Sequence, residues 1–183
     1  MDIFNGYYLR DLEEKDLELI LKWRNSKAIW SNMYTDHEIT MLEHKEWFNQ
    51  VRKNDQTLVK LLFYRNKPLG FINFSNIDKK NNKCYWGFYI GEKDAPKGSG
   101  TVLGLLALDL LFETVGVRKL CAEVLACNEA SLKFHHKLGF KEEGRLIKHV
   151  VKNDKYIDVL VLALFHQQWT EVKNSLLNKG REK

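Results

Sequence analysis

With 183 residues, 44% of them hydrophobic and 29% charged, the chain has the composition of one soluble globular domain with a sizeable core. Its 2 prolines and 11 glycines exclude collagen-like or Pro/Gly-rich disordered character, and no apolar run approaches the ~18 uncharged residues of a membrane span. Lysine and arginine (29) exceed aspartate and glutamate (24) by a formal +5, without the basic stripe of a duplex-binding protein; the excess suits a small anionic ligand equally well.

Cys84, Cys121 and Cys127 form an odd set with no C-x-x-C spacing, which argues against a disulfide framework and against a zinc site. The opening stretch MDIFNGYYLRDLEEKD carries acids where a signal peptide has a basic and then an apolar run, so a cytoplasmic protein is expected.

In chain order, YYLRDL predicts a short strand and EEKDLELILKWRN a helix. Thr40 and Glu43 form a capping box ahead of a second helix, EHKEWFNQV. TLVKLLFY and PLGFINFS alternate around the turn Arg65-Asn66-Lys67-Pro68 and read as a hairpin. KCYWGFYIG is a further strand, EKDAPKGSG a loop, and TVLGLLALDLLFETV a buried helix. KLCAEVLAC reads as a buried strand. NEASLKFHHKLGF is a helix that ends at Gly139, a residue suited to a left-handed C′ position with Phe140 behind it. RLIKHVVK and YIDVLVLALFH flank the turn Asn153-Asp154. The sum is an α/β fold with a mostly antiparallel sheet, whose one parallel crossover runs from Cys84 to Cys127. A single domain over residues 1–170 is expected, then a basic, helical or frayed tail over 171–183.

Gly98-Ser99-Gly100-Thr101 lies between a strand and a long helix, where unpaired N–H groups at a helix start suit a pyrophosphate. A plain glycine-containing turn is the competing reading. On the first helix Leu17, Ile20, Leu21 and Arg24 share one stripe, so an arginine stands where an apolar residue is expected and must snorkel or find an anion. On the second, His44 shares a stripe with Trp47, Phe48 and Val51. Both polar intrusions fit one pocket, and core packing is the alternative. On the strand before the loop, Tyr85 points with Gly87 and Tyr89, away from Phe88 and Ile90, and is the better candidate for substrate contact. Glu123 shares a face with Cys121 and Leu125 and needs a partner or a function; Arg24 is one such partner.

The glycine loop followed one helix and one strand later by Asn128-x-x-Ser131-x-x-x-His135-x-Lys137-Leu138-Gly139-Phe140 resembles the GCN5-related N-acetyltransferase family. That family carries a loop [Q/R]-x-x-G-x-[G/A] and a helix N-x-x-[A/S]-x-x-x-Y-x-K-x-G-F; here Ala95 stands at the loop's first position and His135 at the tyrosine. The likeness is densest from Tyr85 to Phe140. With Trp23–Asn25, Asn32–Tyr34, His44 and Trp47 added, it extends to the nucleotide-sugar branch that serves pseudaminic acid biosynthesis.

The resemblance implies a mixed sheet of about seven strands flanked by helices, with acetyl-CoA as co-substrate at splayed central strands. Phe88, Ile90, Lys97, Gly98, Ser99, Gly100, Thr101, Asn128 and Lys137 are then the residues expected to hold the coenzyme. It also implies transfer to the 4-amine of a UDP-linked 4-amino-4,6-dideoxy sugar in a ternary complex. Arg24, Met33, Tyr34, His44, Trp47 and Tyr85 would line that sugar's pocket, with Met33, Tyr34 and Trp47 facing its methyl group. His135 falls at the acid position; Glu123 is the first choice as base and His44 the second. A ribosomal-protein or peptide N-terminal acetyltransferase and a non-catalytic acyl-CoA-binding module are the competing readings. No nucleic-acid, membrane or metal partner is expected, and a homodimer is compatible with the sequence.

Overall fold

Arg65 and Asn66 both have positive φ (48° and 65°), as do Asn153 and Asp154 (49° and 60°), the geometry of two-residue turns that match the twist of antiparallel strands. The computed structural model, which describes residues 4–181, accordingly joins β2 (Leu58–Tyr64) to β3 (Lys67–Asp78) and β6 (Lys141–Lys152) to β7 (Lys155–Phe165) as hairpins. Met1–Ile3 of the acidic opening stretch and the final two residues of the basic tail lie outside the described residues. With β1 (Tyr7–Asp11), β4 (Lys83–Ile90) and β5 (Lys119–Leu125) these strands form a seven-stranded sheet in the order β1-β2-β3-β4-β5-β7-β6.

Among the described residues only β4 and β5 pair in parallel, and only at Lys83–Tyr85 against Lys119–Cys121. Past Tyr85 each goes its own way: β4 stays on β3 up to Gly70↔Ile90, while β5 stays on β7 up to Leu125↔Val159. The two central strands therefore splay and leave facing edges of backbone N–H and C=O groups without a ladder, an opening an extended ligand can enter.

One sheet face carries the larger core, in which Ile72, Phe74, Trp86 and Leu120 meet α4 (Ser99–Asp109), α5 (Glu129–Lys137) and α6 (His166–Arg181). A one-turn π-helix, Leu110–Val115, continues α4, and Trp169 of α6 is fully buried with its indole N–H on Asp109. The other face carries a smaller core of Val59, Leu61, Phe63 and Phe71 under α1 (Leu17–Arg24), α2 (Lys27–Trp30) and α3 (Met41–Lys53).

Two expected elements are shorter than the sequence suggests. The first helix begins with a 3₁₀ turn at Glu14–Asp16, because Arg10 takes the Asp16 carboxylate in a two-pronged bond at 2.7 and 2.8 Å. The strand expected through Cys127 ends at Leu125, where Ala126 turns its amide to Asp158. The capping box stands as read: Glu43 N–H donates to Thr40 Oγ1 at 3.2 Å, and Thr40 N–H to Glu43 Oε2 at 2.7 Å.

Candidate active site

The loop between β4 and α4 turns on Gly98, whose φ of +93° is a left-handed conformation that favours glycine. A Cβ at Gly98 would meet nothing within 4 Å, and one at Gly100 would meet only Ile90, at 3.8 Å. No described backbone or side-chain group accepts from the amides of Gly98, Gly100 or Thr101. Open space beside unsatisfied donors at a helix start is a ready anion cradle. Lys137, at the end of α5, reaches back and donates to Thr101 Oγ1 at 2.9 Å, which puts two expected coenzyme residues together across the mouth of that cradle.

Ser99 differs from expectation. It is buried; its amide and its hydroxyl both bond Pro96 O (3.0 and 2.7 Å), and its oxygen also meets Tyr7 Oη at 3.1 Å. Ser99 shapes the loop and has no donor left for a phosphate. Lys97 is exposed on the same turn. Asn128 Oδ1 caps α5 by accepting from Ser131 N–H at 3.1 Å. Phe88 and Asn128 line a cleft of about 370 Å³ between the splayed strands, and Ile90 and Glu123 border it too.

His135 lies at the back of that cleft, only 2% exposed, in edge-on contact with Trp86 and Phe140. The Trp86 indole N–H donates to His135 Nε2 at 3.0 Å, and His135 Nδ1–H donates to Ser131 O at 2.8 Å. An indole nitrogen only donates, so Nε2 must be a lone-pair acceptor and the ring must be neutral. Burial pushes its pKa down to about 4, against a smaller opposing pull from the Ser131 carbonyl. In this geometry His135, placed at the acid position by the sequence, has no proton facing the cleft, and charging it would break the bond to Trp86.

A second recess, about 460 Å³, opens on the other face of the sheet. Its walls are two stacked ring pairs, His44 on Trp47 (centroids 5.1 Å apart) and Phe71 on Tyr89 (5.2 Å). Arg24, at the end of α1, projects into it half-buried; burial lowers its pKa, and no carboxylate is within salt-bridge distance among the described residues. The Glu123–Arg24 pairing entertained from the sequence is absent. His44 is 5% exposed and hydrogen-bonded to the Leu17 backbone, while its Nε2 has no partner. Burial first, and Arg24 after it, hold His44 below its ordinary pKa. Asn73 Oδ1, on β3, is a second buried polar atom without a partner.

Glu123 is exposed rather than buried among apolar neighbours, and the Tyr34 hydroxyl donates to its Oε2 at 2.6 Å. Both line a third recess, about 440 Å³, with Tyr85. Met33 borders all three spaces and so stands at their junction. The two expected bases are thereby separated: Glu123 reaches the cleft between the splayed strands, whereas His44 lines only the aromatic recess. Asn73, Phe71 and Tyr89 were not singled out from the sequence. Asn73 had a signal, a polar residue inside the apolar run from Leu69 to Phe74, sharing the Phe71 face rather than the Ile72–Phe74 face.

The family model described as an acetyltransferase (GNAT) domain matches residues 7–141. The chain belongs to the GNAT acetyltransferase family: it is an N-acetyltransferase with acetyl-CoA as co-substrate. Acetyltransferase PseH of Campylobacter jejuni subsp. jejuni serotype O:23/36 (strain 81-176) is 31% identical over 130 residues, 71% of this chain and 80% of that protein. Spermidine N(1)-acetyltransferase of Escherichia coli (strain K12) is 21% identical over 161 residues, 88% of this chain and 87% of the relative. The crystal structure of spermidine N-acetyltransferase from Vibrio cholerae in complex with CoA and spermine superposes with a TM-score of 0.85 at 22% identity, over 91% of this chain and 99% of that one. Among the described residues no helix is long and apolar enough to cross a membrane, and no group of three or more His, Cys, Asp or Glu side chains is placed to hold a metal ion.

Proposed function

We propose that this enzyme acetylates the 4-amine of a UDP-linked 4-amino-4,6-dideoxy sugar, the reading implied by the pseudaminic acid branch of the family. The observation that carries it is the aromatic recess, with a half-buried guanidinium that has no carboxylate within salt-bridge distance among the described residues and two buried polar atoms without partners, His44 Nε2 and Asn73 Oδ1. Such a set suits a ligand combining an anion, a planar or apolar body and several O–H or N–H groups. The likeness to PseH supports the same class. A polyamine, acceptor of the spermidine enzymes that share the fold, brings several ammonium groups beside the Arg24 guanidinium, which no carboxylate pairs among the described residues, and that costs Coulomb energy. The Glu43 carboxylate that also lines the recess is already engaged by Thr40.

Acetyl-CoA supplies the acyl group as a thioester. The amides of Gly98, Gly100 and Thr101, with Lys137 and Lys97 beside them, are the groups that fit its diphosphate, and the open edge of β4 past Tyr85 fits its extended arm. Glu123, held by Tyr34 between the cleft and the third recess, takes the proton from the attacking amine, directly or through one water. With a thiol pKa of about 8.5 the leaving group departs without a strong acid, which agrees with the neutral state of His135. Cys84 has no nucleophilic part, since burial pushes its thiol up to about 12.

The test is thiol release from acetyl-CoA with UDP-amino sugars, N-terminal peptides and polyamines as acceptors. Turnover is expected on the 4-amino-4,6-dideoxy sugar. A higher kcat/KM on spermidine or on a peptide overturns the reading.

A further inference from the structure

We infer that Lys152, at the tip of the β6–β7 hairpin, is a positioning residue that sets the wall of the acceptor site; the inference rests on the proposal that the recesses around Met33 receive the acceptor. Lys152 is 3% exposed, unusual burial for a lysine. Its ammonium donates to three backbone carbonyls of a segment more than a hundred residues earlier: Trp30 O at 2.9 Å, Met33 O, and Thr35 O at 3.4 Å. It also sits over the Trp30 ring, 5.1 Å from its centroid. Three N–H donors thus meet three acceptors, the full complement of an ammonium group.

Two of the carbonyls it gathers, Met33 O and Thr35 O, lack other partners among the described residues, and the third, Trp30 O, is shared with the Met33 N–H at 3.1 Å. The short helix α2 stops at Trp30, and residues 31–40 form no regular element. Carbonyls at a helix end and in an irregular loop need donors from elsewhere, and a cation is the strongest available. The far end of the same loop is fastened by Asn25, which exchanges two hydrogen bonds with Ile39 (2.8 and 3.0 Å). Between the two fastenings lie Met33, at the junction of the three recesses, and Tyr34, which holds Glu123. Lys152 makes its hydrogen bonds to none of these side chains. It fixes the backbone that carries them, and the charged groups of the neighbourhood, Asp36 and Arg24, act on it only at longer range.

The experiment compares K152M, K152Q and K152R with the native enzyme in steady-state kinetics and in amide hydrogen exchange. For K152M the acceptor KM is expected to rise roughly tenfold, the scale of a small misplacement of binding groups, with the Kd for acetyl-CoA within about twofold of native. Exchange should quicken at residues 31–36 and stay unchanged in β2–β4, and K152R, which keeps a cation and donors, should recover part of the acceptor KM. Should K152M not fold, K152Q carries the same comparison with a neutral donor. A lowered melting temperature with acceptor KM and loop exchange unchanged would overturn the inference, as would an equal loss of affinity for both substrates. The exchange pattern needs no acceptor. If the loop loosens in K152M but nucleotide sugars are not turned over, the clamp stands and the acceptor assignment falls; if sugars are turned over and the loop does not loosen, the reverse holds.

Discussion

Tyr34 Oη and Glu123 Oε2 are 2.6 Å apart, a bond that ties the irregular loop after α2 to the central strand β5. Burial, and then the carboxylate it faces, push the Tyr34 ionisation above its ordinary range, so the hydroxyl remains a donor wherever the enzyme works. The arrangement gives Glu123 a fixed direction while its other oxygen is left to an amine or a water. E123Q should therefore lower kcat by roughly a hundredfold, the usual range for a general base, with the Kd for acetyl-CoA unchanged. Y34F, which removes only the orienting bond, should cost about tenfold in kcat/KM for the acceptor. Steady-state rates between pH 6 and 9 and calorimetry with the coenzyme check both; an E123Q enzyme with native turnover would take the proton-transfer role from this carboxylate.

Gly100 offers a prediction whose two halves have opposite signs. A Cβ there sits in the first turn of α4, clear of protein atoms save Ile90 at 3.8 Å, and alanine is favoured over glycine in a helix by roughly 0.5–1 kcal/mol. G100A should thus hold or raise the melting temperature. It should at the same time weaken acetyl-CoA binding, because the added methyl takes space beside the unsatisfied amides, and G100V should weaken it further. Calorimetry showing native affinity in G100V would remove the phosphate assignment from this turn.

Asn73 tests the aromatic recess in a similar way. Its Oδ1 is buried without a donor, a state that costs about 1–3 kcal/mol in the free enzyme. N73L, which keeps the branched heavy-atom skeleton without the polar atoms and has the open recess beside it for its larger methyls, should leave the melting temperature level or higher. It should raise the acceptor KM several-fold and leave acetyl-CoA affinity alone. An unchanged acceptor KM would show that this oxygen meets no part of the substrate.

Much of the fold was legible because local chemistry and global pattern agree in it. The capping box at Thr40 and Glu43, the turn residues at 65–66 and 153–154, and the left-handed Gly139 (φ +91°) each answer to short-range rules. The glycine loop and the cluster at Asn128–Phe140 could be placed together for the same reason, since one helix and one strand separate them. What the sequence hid are relations made by tertiary contact. Periodicity puts His135 on α5 but says nothing of Trp86, 49 positions away, whose indole N–H dictates the ring's protonation. Arg24 was one partner the sequence offered Glu123, whereas its partner comes from a loop without periodicity. Lys152 reads as one more exposed hairpin lysine until three carbonyls converge on it.

His135 also couples the fold to pH. Its pKa is about 4 in the folded protein against an ordinary 6.5, so the unfolded chain binds the proton more readily. The stabilisation from the neutral ring is complete above about pH 6.5 and is lost as the pH falls toward 4, a change of at most about 3 kcal/mol. H135Q keeps an oxygen able to accept from Trp86 and has nothing to titrate. Urea melts of native enzyme and H135Q should differ most near pH 7, with the native protein ahead, and converge near pH 4. Turnover of H135Q at pH 7 should stay within about threefold of native, because a neutral, internally bonded imidazole donates no proton to the leaving thiolate. A hundredfold loss of kcat in an H135Q enzyme that melts and binds acetyl-CoA like the native one would return the acid role to this residue.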